Sequence, residues 1–329
     1  MEIRPALFSA TTTITPGDRW QHVLARLGYR RDQRRVTVGL YAIDNPLPSS
    51  PVFVTANYKL SFDALRSVLT GIDSYILVLE TFGINVWCAA GKGTFGTDEL
   101  VQRIEVTGLA QVVSHRKLVL PQLGAPGVAV DVVRRRTGFR VTFGPVRAED
   151  LPEYLKTRMA TPEMRRVRFN LADRLVVIPL EVVYAALPTL AVAIALFFLS
   201  GWLASLAAIV AVLAGTALFP ILLPWLPSRY FSVKGLILGG ILALGIACWS
   251  WFTTTNQAWW QRISWSLAYL LAMPAVTAYF ALNFTGSTTF TSRTGVAREI
   301  KIFIPLMAIM FGVGIVIVIA LSVIRLVGG

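Results

Sequence analysis

The residues best placed to do chemistry in this 329-residue chain crowd into "GINVWCAAGKGTFG", residues 83–96. Cys88, one of only two cysteines, stands there beside Trp87, with Lys92 four residues on. Gly91, Gly93 and Gly96 spell G-x-G-x-x-G, and Gly91-Lys92 suggests a phosphate loop. Spacing removes both readings. A phosphate loop needs glycine where Val86 stands and a hydroxyl where Gly93 follows Lys92. A dinucleotide turn puts its first glycine directly after a strand. Here the preceding apolar run ends near Glu80, well before Gly91.

A third reading makes Asn85 to Lys92 a short helix with a glycine-rich exit. Helical spacing then places Asn85, Cys88, Ala89 and Lys92 on one face. Cys88 falls in the first turn, where unpaired amides and the helix dipole favour a thiolate that ligates or reacts. Ala89, Ala90 and Gly91 carry little bulk, so a wide flat ligand could approach the backbone. A helix this short must be held by its domain or by a cofactor. The bland alternatives are a cysteine packed as a small hydrophobe and a tryptophan in the core. The residues alone do not name a ligand.

The elements around this stretch alternate. "VTVGLYAI" (36–43), "PVFVTA" (51–56) and "SYILVLE" (74–80) have the composition of strands. Phe62, Leu65, Val68 and Leu69 lie on one helical face, with Gly71 as a stop, and Asp98 to Val106 forms a second helix closing at Gly108. "AQVVS" (110–114) and "RKLVL" (116–120) read as a strand and its continuation. A helix over 128–138, a strand over 139–143 and a helix over 148–159 follow. This alternation predicts an α/β parallel sheet, Rossmann-like, with helices on both faces and ligands at the carboxyl ends of its strands. Residues 1–35 hold one basic amphipathic helix, about 18–27, with no evident place in that scheme.

Composition changes near residue 175. Apolar runs over about 177–199, 202–224, 233–253, 263–282 and 302–324 are each long enough to span a bilayer. They predict an all-α domain of five transmembrane helices over 177–329, behind a basic linker at 161–176. The first two spans join tightly through Ser200 and Gly201. Tryptophans gather mostly near span ends, as interfacial anchors do. Arg165, Arg166, Arg168 and Arg174, then Arg229 and Lys234, then Arg293, Arg298 and Lys301 fall on one side of the predicted topology. The positive-inside rule puts that side, and the α/β domain, in the cytoplasm, so an inner-membrane multi-pass protein is expected. The polar, Thr-rich start shows no cleavable signal.

The formal charge of +13 fits basic flanks at an anionic lipid surface. No recognised nucleic-acid motif accompanies it, so no nucleic-acid partner is expected. Two cysteines rule out a disulfide framework and any all-cysteine zinc or iron–sulfur site in this chain. Cys248 lies in the third span and reads as packing. Glu181, near the start of the first span, is the exceptional acid there, and the shortage of charge at the midplane argues for an anchor over a transporter.

At these residues the sequence resembles a known family. "NVWCAAGKGTFGTDEL" (85–100) is similar to the cap-helix motif of the mercury-methylating corrinoid protein (HgcA) family, itself related to the corrinoid iron–sulfur protein of the acetyl-CoA pathway. "PVFVTANYKLSFDALR" (51–66), "SHRKLVLPQLGAPGV" (114–128) and "TGFRVTFGPVRAEDLP" (137–152) look like further family blocks, in the family order. The resemblance implies a corrinoid-binding domain over 36–160 with its cap helix at 85–92. Cys88 maps onto the lower axial ligand of the corrinoid cobalt. Asn85, Val86, Trp87, Ala89, Ala90, Gly91, Lys92 and Gly93 complete the cap. Thr55, Asn57 and Ser61, the loop carrying Ser114, His115, Gly124 and Gly127, and the turn Gly144 to Ala148 are implied to line the corrinoid or its nucleotide tail. His115 has ordinary loop hydrogen bonding as its other reading, and His22 is read as surface or core.

The implied activity is a corrinoid-dependent methyltransferase, passing a methyl group from methyl-Co(III) to inorganic Hg(II) to give methylmercury. Thiolate is a soft, electron-rich ligand suited to that role. The implied partners are a ferredoxin-like iron–sulfur protein that returns cobalt to Co(I), a methyl-folate donor system, Hg(II) as substrate and membrane lipid. Two alternatives stand beside it: a corrinoid methyl carrier for one-carbon metabolism, and a transporter with a cytoplasmic ligand-binding domain.

Overall fold

The computed structural model describes residues 7–288 and 291–327. The chain forms two compact units, Met1–Arg168 and Phe169–Gly329, and the division falls inside the basic stretch 161–176.

The first unit is built on one six-stranded sheet. Its strands are β1 (Leu7–Ala10), β2 (Gly39–Ile43), β3 (Val52–Ala56), β4 (Ser74–Leu79), β5 (Lys117–Leu120) and β6 (Arg140–Phe143). They lie in the order β1-β2-β4-β3-β5-β6. Its helices are α1 (Pro16–Arg26), α2 (Lys59–Ser67), α3 (Val86–Lys92), α4 (Thr97–Val106), α5 (Leu109–Val112), α6 (Val130–Thr137) and α7 (Leu151–Thr157).

Every residue of β3 and β4 is buried, as strands covered on both faces must be. On one face Val52, Val54, Ala56, Leu77 and Leu79 meet Val86 and Ala89 of α3, Leu100 and Ile104 of α4, and Val133 of α6. On the other, Phe53, Ile76 and Val78 meet Phe62 of α2 and Leu151 and Tyr154 of α7. Each fully buried leucine or valine here contributes about 1.5–3 kcal/mol over leaving it in water. The expected helices on both faces are present.

The expected α/β, Rossmann-like class is present: the sheet is mostly parallel, with β2 antiparallel to β4 and β1 parallel to β2. The segment 44–51 joining β2 to β3 is too short to cross the sheet and return, so the chain reverses direction. One expectation needs correction: residues 110–113 do not extend β5. Leu109–Val112 is a single helical turn, with Leu109 and Val113 both buried and the Val113 N–H bonded to the Leu109 carbonyl. A run this short, apolar apart from Gln111, does not distinguish a strand from a helical turn.

The second unit is helical: α8 (Leu171–Leu175), α9 (Ile178–Ser200), α10 (Trp202–Leu213), α11 (Phe219–Leu222), α12 (Phe231–Thr253), α13 (Trp259–Asn283) and α14 (Arg293–Val327). Among the described residues five stretches, Leu171–Ser200, Trp202–Leu222, Phe231–Thr253, Trp259–Ser287 and Thr294–Arg325, are long and apolar enough to cross a membrane. Between α10 and α11 the chain widens into a π turn at Ala214–Leu218. Pro220 lacks the N–H that an uninterrupted helix would use at that point, and the ladder adjusts around it. Glu299 of α14 is buried and accepts the Ser232 N–H at 2.5 Å, satisfying a donor in the first turn of α12.

Candidate functional site

β3, β4, β5 and β6 are mutually parallel, so their carboxyl ends share one edge of the sheet. The segments leaving that edge are Asn57–Tyr58, Glu80–Asn85, Pro121–Gly127 and Gly144–Ala148. Asn57 joins the first two. Its Oδ1 accepts from the N–H groups of Thr81 and Gly83, each at 3.1 Å, and from the Thr81 hydroxyl at 2.9 Å. Its Nδ2 donates to Glu80 at 2.7 Å. The chain can then turn through Phe82 and Gly83, both at positive φ (58° and 73°), and start α3. Glu99 of α4 accepts the Glu80 N–H at 2.8 Å and completes the frame.

Helix α3 begins because Asn85 caps it. The Asn85 Oδ1 accepts the Cys88 N–H at 2.9 Å, which satisfies one orphan donor of the first turn. The helix ends at Gly93, whose φ of 84° is left-handed and suits glycine. Gly96 then caps α4, so the glycines of G-x-G-x-x-G form a helix exit and the next helix entry. The expected short helix with a glycine-rich exit is what the chain forms.

The two faces of α3 differ from the expectation at one residue. Val86, Ala89 and Ala90 are buried, Asn85, Trp87 and Cys88 are half-buried, and Gly91 and Lys92 are exposed. Ala89 therefore belongs to the core face and not beside Cys88. The small size of Ala90 serves the neighbouring turn Gln122–Gly127. A Cβ on Gly127 would lie 2.1 Å from the Phe95 carbonyl oxygen and 3.1 Å from the Ala90 Cα. Ala90 thus admits protein backbone, and the face of α3 turned away from the core carries the half-buried Cys88 and Trp87 with the exposed Gly91 and Lys92.

The other expected site residues divide by position. Asn57, Gly124 and Gly127 lie at the carboxyl edge with α3, and Ala148, half-buried, follows β6 at the same edge. Thr55 is buried and shares the sheet face of Phe53, which α2 covers, and Ser61 sits on α2 itself. Ser114 and His115 precede β5, at the opposite edge, and are not brought to α3. The N–H and hydroxyl of Ser114 both donate to the Pro48 carbonyl. The His115 Nδ1 accepts the Lys117 N–H at 3.2 Å, so its Nε2–H donates to the Ser50 carbonyl at 2.8 Å. That is the ordinary loop hydrogen bonding named as its other reading. Glu80, Thr81 and Glu99 were not anticipated. The bonds that tie them into this frame span 19 to 24 residues, and no local pattern signals those long-range partners.

Cys88 and Cys248 are both free. Among the described residues no group of three His, Cys, Asp or Glu side chains could hold a metal ion. A metal at Cys88 would have to bring its remaining donors with it. A metal carried in by a cofactor that supplies most of its ligands would do so and would need only Cys88 from the protein. The half-buried sulfur fits such a group.

Fold and site together define a class: an α/β unit with a short single-cysteine helix at its carboxyl edge, on one chain with five apolar helices among the described residues. Known proteins place the first unit more closely. Residues 26–155 match the family of the CO dehydrogenase/acetyl-CoA synthase delta subunit. The gamma subunit of the acetyl-CoA decarbonylase/synthase complex from Archaeoglobus fulgidus is 37% identical over 114 residues, 34% of this chain and 24% of that one. The same subunit from Methanopyrus kandleri is 34% identical over 128 residues, 38% of this chain and 27% of its own length. The corrinoid/iron-sulfur protein large subunit of Moorella thermoacetica is 26% identical over 161 residues, 46% of this chain and 36% of that subunit. The chain spans about a quarter to a third of these relatives, and the matched family segment lies within the first unit. The matches support the wider kinship with acetyl-CoA-pathway corrinoid proteins.

Proposed function

We propose that this chain is a membrane-anchored corrinoid methyltransferase whose Cys88 is the lower axial ligand of cobalt and whose methyl acceptor is Hg(II). The observation that carries the reading is Cys88 itself: a free, half-buried sulfur in the first turn of a capped helix at the carboxyl edge. The kinship with a corrinoid/iron-sulfur subunit supports the cofactor class. The cap-motif likeness of residues 85–100 supports mercury as acceptor.

The residues divide the work. Asn85 holds the first turn and so fixes the direction of the Cys88 side chain. Val86, Ala89 and Ala90 bind the helix to the core. Gly91, without a side chain, leaves room beside the sulfur for a broad ring, and Lys92 offers a cation to its acidic or phosphate substituents. Asn57, Gly124, Gly127 and Ala148 line the same edge; Thr55, Ser61, Ser114 and His115 contribute through the strands and loops they hold. A bound corrinoid would supply a methyl group able to leave with its electron pair, and Cys88, as a soft sulfur ligand to its metal, would favour such departure toward a soft electrophile. Turnover then needs two electrons and a new methyl group. A ferredoxin-like iron–sulfur partner and a methyl-folate donor system would provide them, since two cysteines cannot hold a cluster of their own. The α/β unit would face the cytoplasm, with the five apolar helices in the inner membrane.

The test is anaerobic reconstitution of the full chain with a corrinoid. Wild type should retain cobalt, show a corrinoid spectrum with sulfur as axial ligand and form methylmercury; Cys88→Ala should lose the sulfur signature and the product. Full activity in Cys88→Ala would remove the ligand role. The acetyl-CoA-complex relatives favour a second reading, a methyl carrier of one-carbon metabolism. Methyl transfer to a carbon-monoxide-processing partner, with none to Hg(II), would establish that reading instead.

A further inference from the structure

Helix α1 is turned inside out. On a helix docked to a soluble domain the apolar stripe normally faces the core and the charges face water. Here Asp18, His22 and Ala25 face inward. Lys59 donates to Asp18 at 2.7 Å, Arg66 donates to Asp18 at 2.8 Å, and the His22 Nε2 lies 2.7 Å from the wholly buried Asp63. Those ion pairs hold the polar face against α2. On the opposite face Trp20, Val23 and Leu27, spaced three and four residues apart, are 61%, 45% and 36% exposed.

Tyr29, 55% exposed, continues the stripe past the helix end. The Arg30 and Arg34 guanidiniums lie over its ring at 5.5 and 5.9 Å. Arg19, Arg26 and Arg30 flank the stripe, all exposed, and among the described residues none of them is in an ion pair. An exposed row of one tryptophan, one tyrosine and two aliphatics bordered by arginines outside any ion pair among the described residues is the composition of a helix lying in a bilayer interface. Among the described residues the same chain carries five helices long and apolar enough to cross a membrane, so the α/β unit is tethered to any bilayer that they enter.

We propose that the Trp20–Val23–Leu27–Tyr29 face of α1 docks on the anionic lipid surface of the membrane in which the chain is anchored. The aromatic and aliphatic side chains would enter the headgroup region, while Arg19, Arg26 and Arg30 pair with lipid phosphates. Docking would restrain the α/β unit, because α1 is tied to α2 through Asp18, Asp63 and Arg66. This inference does not depend on the corrinoid reading.

The test uses the full chain in lipid nanodiscs of phosphatidylcholine alone or with phosphatidylglycerol, read by hydrogen exchange over residues 16–30. Phosphatidylglycerol should slow exchange of this segment roughly tenfold. The charge reversal of Arg19, Arg26 and Arg30 to Glu, and separately Trp20→Ser with Leu27→Ser, should abolish that difference. These positions are exposed, so the variants keep the fold, and unchanged exchange in β3 and β4 checks it. As a second measure, lipids brominated near the headgroup should quench wild type more than Trp20→Phe. Equal exchange in the two lipids would overturn the proposal. So would protection that appears only on adding a soluble protein, which would make the stripe a protein interface.

Discussion

The Asn85 Oδ1 accepts the Cys88 N–H at 2.9 Å, so the residue that starts α3 also fixes the turn carrying its only sulfur. Asn85→Ala should cost about 1 kcal/mol of helix-capping energy. It should also loosen the sulfur, lowering cobalt retained per chain after gel filtration, whereas Asn85→Asp or Asn85→Ser should retain most of it. Equal cobalt retention in Asn85→Ala would show that the cap does not position Cys88. Cys88→Ala should change thermal stability by less than Asn85→Ala does while removing the sulfur signature.

Asn57 bonds through one side chain to the loop that precedes α3, with Thr81 and Gly83 as donors to its oxygen. Both of those N–H groups are buried, and Asn57→Ala leaves them without an acceptor. The expected loss is about 2 kcal/mol or more, since each unsatisfied buried group costs about 1–3 kcal/mol. Thermal unfolding of the α/β unit, followed by near-ultraviolet circular dichroism of the full chain in detergent, reads this. A shift within error of zero would mean that other acceptors take over.

Gly127 packs its backbone against Phe95 and Ala90. Gly127→Ala should destabilise the protein by about 1–3 kcal/mol through overpacking and push α3 off the turn. Gly138→Ala makes an instructive control, because nothing crowds that position and only its positive φ of 79° is strained. If Gly127→Ala unfolds no earlier than wild type, the close approach of turn and helix is not as tight as the geometry indicates.

The α1–α2 ion pairs give the N-terminal helix an acid limit. Burial alone would raise the Asp18 pKa, but hydrogen bonds from Lys59, from the N–H and hydroxyl of Thr15 and from Arg66 outweigh it and hold the carboxyl well below its usual value of 3.8. A carboxylate depressed on folding stabilises the folded state fully above its unfolded pKa, and that stabilisation is lost as pH falls below about 3.8 toward the folded value. Hydrogen exchange of residues 16–26 should therefore accelerate, relative to β3, on acidification through that window. Asp18→Asn should accelerate it at neutral pH and flatten its dependence on acid. An unchanged profile in Asp18→Asn would remove Asp18 as the titrating group.

Much of this protein was legible in the sequence. The apolar helices were readable because crossing a bilayer requires a length and a composition, and both are local. The fully buried runs of β3 and β4 and the start of α3 at Asn85 were readable for the same reason: burial on both faces and a capping residue leave marks within a few positions. The strand β1, the reversal of β2 and the single turn at Leu109–Val112 were not, because strand direction and edge pairing depend on partners far along the chain.

The cysteine and its helix were determined by sequence alone; which side of the helix is open was not. Ala90 is equally suited to a flat ligand or to a neighbouring backbone, and only the packing of Gly127 decides for the backbone, while Ala89 is drawn into the core. Ser114 and His115 share a sequence block with Gly124 and Gly127, yet a four-residue strand carries them to opposite edges of the sheet. Residues 18–27 likewise showed an amphipathic helix whose apolar stripe would ordinarily face inward. The tertiary structure reverses it, because Lys59, Asp63 and Arg66 of α2 give its charged face a better partner than water.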